Sequence, residues 1–230
     1  MRGPVVAGFA PNMPLSDSKT FKRGFPMNNQ QSSGVCGFCG VRKGEAAMTT
    51  HLQQCLPRAA NGGRRVPLLL LGVQAAYAPM YWLHVAAGRD GNLRRLDDLL
   101  RHVWLECCGH MSKFYTTGRQ EISMNRGLSQ VFASTGDRIN HVYDFGTSTE
   151  VVVSLVGLTE GTSVKPVVAS RNEPPIWPCD VCGEPASNVC SECYDGGFCC
   201  VRHAGDHNCG EDMLLPVVNS PRMGVCGYTG

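Results

Sequence analysis

Cysteine and histidine occur in this chain as closely spaced pairs, the arrangement in which proteins hold metal ions. The chain contains 13 Cys and 7 His, and an odd number of Cys excludes complete pairing into intramolecular disulfides. Zn²⁺ prefers Cys thiolates and His imidazoles, and a structural zinc site uses four of them in a tetrahedron. The spacing therefore predicts metal sites in a reducing compartment rather than a secreted disulfide framework, and we expect the protein to be cytoplasmic.

The first set of ligands has the spacing C-x2-C-x11-H-x3-C. Its members are Cys36, Cys39, His51 and Cys55. Two Cys on a tight turn present adjacent thiolates, and a His four residues before a Cys lies on the same face of a helix. We predict one zinc ion here; the alternative is a pair of ordinary buried Cys beside a surface His.

Four further ligand pairs fall within 31 residues towards the C-terminus. They are Cys179 and Cys182, Cys190 and Cys193, Cys200 and His203, and His207 and Cys209. This order predicts two zinc ions in an interleaved cross-brace, with pairs one and three on one ion and pairs two and four on the other. So short a segment has almost no apolar core, so the metal would supply its folding free energy. Cys199 competes with Cys200, which we prefer for its x2 spacing to His203. The chain as a whole is predicted to bind three zinc ions.

A further group, Glu106, Cys107, Cys108 and His110, follows a predicted helix. A thiolate beside an imidazole could act as a nucleophile, and Cys226 could join the group as another metal site. However, the negative end of the helix dipole disfavours a thiolate, and Cys is among the most buried residue types. We therefore interpret the group as core packing with a His hydrogen bond, and we predict no catalytic residue.

Charge divides the chain into a basic and an acidic end. Residues 1–66 carry nine Lys or Arg and two acidic residues, whereas residues 171–230 carry three Arg and eight acidic residues. A polyanion should therefore meet the N-terminal end. The candidates for nucleic-acid contact, all within residues 35–66, are Arg42, Lys43, Arg58, Arg64 and Arg65. The acidic end suits a protein partner, because cross-brace modules usually bind protein rather than nucleic acid.

Composition and hydropathy divide the chain into six segments. We expect a disordered N-terminal segment (1–34), a zinc finger with a basic linker (35–66), a folded body (67–170), a Pro-rich spacer (171–178), a double-zinc module (179–210) and a C-terminal tail (211–230). Residues 66–88 contain no Asp, Glu, Lys or Arg. Pro67 and Pro79 interrupt this stretch, which favours two buried strands and no membrane span.

Within the body, apolar residues recur at helical spacing over residues 93–106, which predicts an amphipathic helix. Strands are predicted at 68–74, 80–87, 112–117, 139–145, 151–158 and 164–169. The predicted fold class is therefore α+β, a mainly antiparallel sheet with one long amphipathic helix, flanked by two small zinc-binding modules.

Four short segments of the body follow one another along the chain in a recognisable order. They are Tyr-Trp-Leu-His at 81–84, Leu-Asp-Asp-Leu-Leu-Arg at 96–101, Val-Trp-Leu-Glu-Cys-Cys-Gly-His at 103–110 and Tyr-Asp-Phe-Gly at 143–146. Together they resemble the plasmid pRi-type ORF-three-like family, whose members often carry a TnpR-like label as passenger proteins of insertion sequences. The tail at 213–222 and 224–230 is similar to the subgroup with zinc fingers at both ends. The resemblance covers residues 67–170 and implies a compact α+β body and a link to mobile genetic elements. Many members continue after residue 146 with Asp, Trp, Glu and His, whereas this chain has Thr147-Ser148-Thr149-Glu150.

These observations favour a non-catalytic, zinc-binding interaction protein associated with mobile genetic elements. Its expected partner is a protein, with nucleic acid as a second partner through residues 35–66 and no membrane contact. The alternative is a resolvase-like enzyme of DNA rearrangement, or a hydrolase, that uses the body. A cleft in the body lined by convergent ionisable groups would favour the enzyme.

Overall fold

The computed structural model describes residues 32–60, 64–193 and 196–230. Residues 1–31 of the predicted disordered segment therefore lie outside the described residues. Residues 61–63 of the predicted linker lie outside them too. The main feature of the described chain is an antiparallel sheet of nine strands.

The strands of this large sheet are β1 (Ser33–Cys36), β2 (Arg42–Gly44), β3 (Val66–Ala75), β4 (Trp82–Gly88), β5 (Ser112–Thr116), β6 (Glu121–Ile122), β7 (Arg138–Tyr143), β8 (Thr149–Gly161) and β9 (Val167–Asn172). Their spatial order is β2-β1-β9-β4-β3-β8-β7-β5-β6, and every neighbouring pair is antiparallel. A smaller sheet contains β10 (Asn188–Cys190), β11 (Phe198–Cys199) and β12 (Leu214–Pro216), with β10 in the middle.

The helices are short and lie between strands. They are α1 (Glu45–Ala59), α2 (Leu93–Leu100), which continues into a π-helical turn (Arg101–Leu105), α3 (Leu128–Val131) and a 3₁₀ turn (Glu211–Met213).

Strand β3 lies at the centre of the sheet, and its near-continuous run of apolar residues follows from burial on both faces. Leu69, Leu71 and Val73 face one hydrophobic cluster, whereas Leu68 and Leu70 face another. Successive side chains of a strand point to opposite faces, so this alternation is the one expected of a strand covered twice. The uncharged stretch 66–88 is thus two buried strands, β3 and β4, and the turn that joins them.

Helix α1 covers one face of the sheet. Its buried residues are Met48, Leu52, Cys55 and Leu56, a spacing of three to four residues that places them on one side of the helix. The opposite face is covered by α2 and by residues of the C-terminal region, among them Trp177, Val189, Phe198 and Met223. The small sheet and the large sheet therefore share one apolar core.

The predicted fold class is wrong. Helix makes up 18% of the structure, and the helix predicted at 93–106 is an α-helix of eight residues followed by a π-helical turn of five. The predicted N-terminal module is not a flanking unit, because β1 pairs with β9 inside the large sheet. The physical reason is that β9 would otherwise expose an edge of unpaired backbone groups, and β1 satisfies them.

Candidate metal centres

Four groups of side chains in the described residues each bring three Cys sulfurs and one His nitrogen within 4.8 Å of one another. We name them the N-terminal cluster (Cys36, Cys39, His51, Cys55), the central cluster (Cys107, Cys108, His110, Cys226), the first brace cluster (Cys179, Cys182, Cys200, His203) and the second brace cluster (Cys190, Cys193, His207, Cys209). Each could hold one metal ion. The sequence predicted three sites, and the structure places four.

The N-terminal cluster joins a turn to a helix. Cys36 ends β1 and Cys39 lies in the turn before β2, while His51 and Cys55 lie one turn apart on α1. The sulfurs of Cys36 and Cys55 are 3.8 Å apart, and the Cys39 sulfur is 3.2 Å from Nε2 of His51. The four residues that the sequence singled out thus converge on one point beside the large sheet.

The first brace cluster uses the first and third pairs of the C-terminal set. The Cys182 and Cys200 sulfurs are 3.8 Å apart, and Nδ1 of His203 lies 3.6 Å from the Cys179 sulfur and 3.3 Å from that of Cys200. The backbone N–H of Cys200 lowers the pKa of the Cys179 thiol to about 6, because it donates a hydrogen bond to the thiolate form. A thiol that ionises easily is well suited to bind a metal ion.

The second brace cluster interleaves with the first. The Cys193 sulfur is 3.5 Å from Nε2 of His207 and 3.8 Å from the Cys209 sulfur. Pairs one and three therefore meet, and so do pairs two and four. Cys200, rather than Cys199, lies among the ligands. The Cys199 sulfur lies instead 3.7 Å from Nδ1 of His207, the nitrogen on the far side of that ring. Cys199 can therefore orient the imidazole without binding the ion.

The central cluster is the site that the sequence analysis named only as an alternative and did not prefer. Cys107, Cys108 and His110 follow the π-helical turn, and Cys226 comes from the C-terminal tail, more than one hundred residues later. The Cys108 and Cys226 sulfurs are 3.9 Å apart, and Nε2 of His110 is 3.3 Å from the Cys226 sulfur. The expectation of core packing is wrong for this group, because Cys108 and Cys226 are exposed and Cys107 and His110 are half-buried.

A Cys-Gly dipeptide is the sequence signal that could have revealed this site. In every cluster at least one ligand is followed by a glycine in the left-handed region. These glycines are Gly40, Gly109, Gly183, Gly210 and Gly227, with φ between +67° and +85°. Residues with a Cβ rarely adopt this conformation, so glycine lets the chain turn sharply after a ligand. The dipeptides at 108–109 and 226–227 match those of the other three clusters.

A buried arginine anchors the tail beside the central cluster. Arg222 is fully buried, and its Nη2 donates to Oδ2 of Asp144 at 2.7 Å. Its Nε lies 3.4 Å from the Cys107 sulfur. Glu106 accepts hydrogen bonds from the Gly109 backbone N–H at 2.5 Å and from the Tyr143 hydroxyl at 3.1 Å. The carboxylates therefore orient the residues around the ligands and are not themselves among them.

Thiols in these clusters do not all ionise together without a cation. Burial and the neighbouring thiols raise the pKa of Cys55 to about 12 and that of Cys193 to about 12. Like charges held a few ångströms apart disfavour a second ionisation. A bound cation reverses this balance, so metal binding must release protons from these thiols.

The five residues predicted to contact nucleic acid have different surroundings in the structure. Arg42 donates to Glu173 at 2.6 Å. Burial lowers the pKa of His51, and the charges of Lys43 and Arg58 lower it further, so these two lie near the N-terminal cluster. Arg64 and Arg65 line a cavity beside the first residue of β3. Their role in nucleic-acid binding stays a prediction.

Comparison with known proteins names no family. No family model matches the chain, and no curated protein matches it. A solved structure, a protein of unknown function from Methanosarcina mazei Go1, is similar over 46% of this chain and 68% of that one, with 14% sequence identity and a TM-score of 0.39. No helix in the described ranges is long and apolar enough to span a membrane.

Proposed function

We propose that this chain is a non-catalytic interaction protein whose fold is held by four structural zinc ions. The observation that carries the proposal is the size of the ligand clusters. A tetrahedron with sulfurs about 2.3 Å from a central zinc has sulfur–sulfur edges of about 3.8 Å. The nearest sulfur pairs in the clusters are 3.8 and 3.9 Å apart. A disulfide would bring two sulfurs to about 2.05 Å, so the clusters have the dimensions of metal sites.

Zinc is the metal that these ligands favour. Three thiolates and one imidazole form a soft tetrahedral set, which suits zinc better than the oxygen-seeking Mg²⁺ or Ca²⁺. Sulfur–nitrogen edges of about 3.5 Å are expected for zinc, and those in the clusters run from 3.2 to 3.6 Å. Each set supplies four protein ligands, so no position is left for a water or substrate. Such closed sites are structural.

One of the described cavities supports a non-catalytic role. Within the described residues, a cavity of about 850 Å³ contains Glu121 and Asp137. Glu121 pairs with Lys113 at 2.8 Å, and Asp137 accepts the backbone N–H groups of Ala133 and Ser134 at 2.8 Å. Carboxylates with such partners hold the local backbone and a neighbouring side chain in place. They are not placed beside a nucleophile as a base would be.

The double-zinc module has the surface of a protein-binding unit. Of the three Arg in residues 171–230, Arg222 is buried and Arg171 is half-buried, so Arg202 is the exposed one. Acidic residues therefore dominate the charge of this surface. Val181 and Val201 are 69% and 80% exposed on the two loops that hold the first brace cluster. An acidic surface with exposed valines suits a basic partner that also offers apolar side chains.

The link to mobile genetic elements and a cytoplasmic location are part of the same proposal. The resemblance of residues 67–170 supports the link, and the abundance of unpaired thiols supports a reducing compartment.

Native mass spectrometry tests the metal content. The full chain purified without chelator should carry four zinc ions, because all four ligand sets are complete. Cys226→Ser should carry three, because a serine hydroxyl does not replace a thiolate ligand. Cys199→Ser is the matched control and should keep four, since Cys199 lies outside the ligand set.

Three ions in both the wild type and Cys226→Ser would contradict metal binding by the central cluster. One ion or fewer in the wild type would contradict the proposal as a whole.

Affinity capture tests the interaction role. The zinc-loaded chain and a Val181→Ser, Val201→Ser double variant should be compared, each with nuclease-treated and untreated lysate. We expect one or more proteins that survive nuclease treatment and are lost with the double variant. Identical capture by both chains, or complete loss of capture after nuclease treatment, would contradict protein binding through this surface.

A further inference from the structure

A basic cavity of about 460 Å³ lies where β3 begins and β4 ends. We call it the arginine pocket. Its charged lining consists of Arg64, Arg65, Arg89, Arg95 and Asp90. The pocket contains no metal ligand, so it is separate from the proposed structural zinc sites.

Four guanidinium groups of this pocket face one carboxylate of its lining, that of Asp90, which forms no salt bridge with them in the described chain. Arg65 is 3.9 Å from Glu160, and both side chains are more than half exposed, so this contact is weak. Arg64, Arg89 and Arg95 have no carboxylate within salt-bridge distance among the described residues. By contrast, the chain pairs Arg42, Arg101 and Arg222 with carboxylates at close range. Four cations and one carboxylate around a concave surface leave a net positive charge that an anion would neutralise.

The backbone of the pocket is fixed. The N–H of Arg89 donates to the Pro67 carbonyl at 3.4 Å, and the Arg89 carbonyl accepts from the Ser129 N–H at 3.3 Å. Gly91 closes the turn with a hydrogen bond to the Gly88 carbonyl at 3.0 Å. A Cβ on Gly91 would approach that carbonyl to 3.1 Å, so the turn has no room for a larger residue. Arg95 follows on the first turn of α2, whose start is capped by Asn92. The positions from which the arginines project are therefore set in advance of binding.

All four cationic residues of the pocket are arginines, and none is lysine. The planar guanidinium fork donates two parallel hydrogen bonds to phosphate oxygens, which a lysine ammonium does not do. A cavity of about 460 Å³ is larger than a single phosphate group and leaves room for an attached sugar.

We propose that the arginine pocket is a phosphate-binding site that takes a phosphate group of a nucleotide or of a nucleic-acid strand. Two of the arginines that the sequence singled out, Arg64 and Arg65, belong to this site, and Arg89 and Arg95 complete it. Affinity for a strand should fall with salt, because phosphate contacts release counterions.

The test uses the zinc-loaded full chain and two probes. A fluorescent 5′-phosphorylated single-stranded oligonucleotide is titrated by anisotropy at low salt, and pyrophosphate is then added as a competitor. Arg95→Gln and Arg89→Gln should each weaken oligonucleotide binding about tenfold and reduce the salt slope by about 1. Arg94→Gln is the matched control, since Arg94 is an exposed neighbour on α2 outside the pocket lining. It should change the affinity less than twofold.

The outcomes separate the two sources of phosphate. Displacement by pyrophosphate, weakened in Arg95→Gln, supports a site for a free phosphorylated ligand. Oligonucleotide binding that pyrophosphate does not displace, but that Arg95→Gln weakens, supports a site for a strand. Equal effects of Arg94→Gln and Arg95→Gln, or no binding of either probe, would overturn the proposal. Equal melting temperatures of the variants establish that the effect is local, and the zinc count of the same samples tests the proposed function separately.

Discussion

Arg222 shows how one buried charge can hold a chain terminus in place. Its guanidinium donates to Oδ2 of Asp144 at 2.7 Å, to the Thr147 carbonyl at 3.0 Å and to Oγ1 of Thr149 at 3.1 Å. Burial opposes ionisation of Asp144, but the hydrogen bond and charge of Arg222 outweigh it and lower the pKa of this carboxyl. A buried charge is tolerated only with such pairing. The pair therefore fixes the tail that supplies Cys226.

His84 is a second buried polar residue with complete hydrogen bonding. Its Nε2 lies 2.7 Å from Oγ1 of Thr49 on α1, and its Nδ1 lies 2.9 Å from Oγ of Ser170 on β9. Burial lowers the pKa of His84 to about 4, because the charged imidazolium is disfavoured away from water. The neutral ring thus ties helix α1 to two strands of the large sheet.

This pKa makes stability depend on pH. An unfolded His titrates near 6.5, so between pH 6.5 and 4 the unfolded chain binds a proton that the folded chain does not. The free energy of unfolding should therefore fall as pH drops through this window. From pH 7 to pH 5 the loss from His84 should be about 2 kcal/mol.

Urea unfolding at pH 7 and pH 5 measures this loss. His84→Gln should be less stable than the wild type at pH 7 but should lose about 2 kcal/mol less on acidification. His102→Gln, at an exposed position outside the clusters, should behave as the wild type, and metal release is common to all three proteins. An equal loss in wild type and His84→Gln would show that His84 is not the group responsible.

Among the elements, the π-helical turn after α2 determines where the central cluster forms. The Glu106 N–H donates to the Arg101 carbonyl at 2.9 Å, five residues back, which widens the turn. Trp104 and Leu105 remain buried, and the next residues leave the core. Cys107, Cys108 and His110 are therefore delivered to the surface, in agreement with the frequent use of π-turns at functional sites.

Strand β1 has a comparable role at the other end of the sheet. It pairs with β9 on one side and β2 on the other, and its last residue is the ligand Cys36. A strand of four residues contributes little by itself. The N-terminal cluster connects it to α1, whose apolar face is packed on the sheet.

In the described residues, the C-terminal module and the large sheet share one apolar core. Trp177 stacks on Phe198 with ring centroids 5.0 Å apart, and both belong to the cluster that contains Leu69 and Leu71 of β3. The Pro-rich segment between body and module therefore carries a core residue. Loss of the module would expose apolar surface of the body.

We therefore expect one cooperative thermal transition for the zinc-loaded chain. Cys190→Ser should lower its midpoint by about 10 °C without splitting it, since about 3 kcal/mol of lost stability shifts a domain of this size by about 3 °C per kcal/mol. Circular dichroism of the sheets and tryptophan fluorescence should change together. Glu192→Gln, at an exposed position near the same ligands, serves as control. A separate early transition in Cys190→Ser, with the rest of the chain unaffected, would show that the module folds independently.

The sequence by itself determined the local features of this protein. Ligand spacing depends on a few neighbouring residues, so the N-terminal and brace ligands are recognisable as groups from the order of amino acids alone. Alternating burial in β8 and the apolar run of β3 likewise follow from local pattern. The metals and the partners remain proposals.

Only the tertiary structure decided the features that depend on distant contacts. Cys226 meets Cys108 across more than one hundred residues, and no local spacing encodes that approach. Arg64 and Arg95 share a pocket because the ends of β3 and β4 pack beside α2. The helix predicted at 93–106 is α-helical only as far as Leu100 and continues as a π-helical turn in which Trp104 and Leu105 are buried. Packing of this kind overrides helical periodicity, which reports only the face that one element presents.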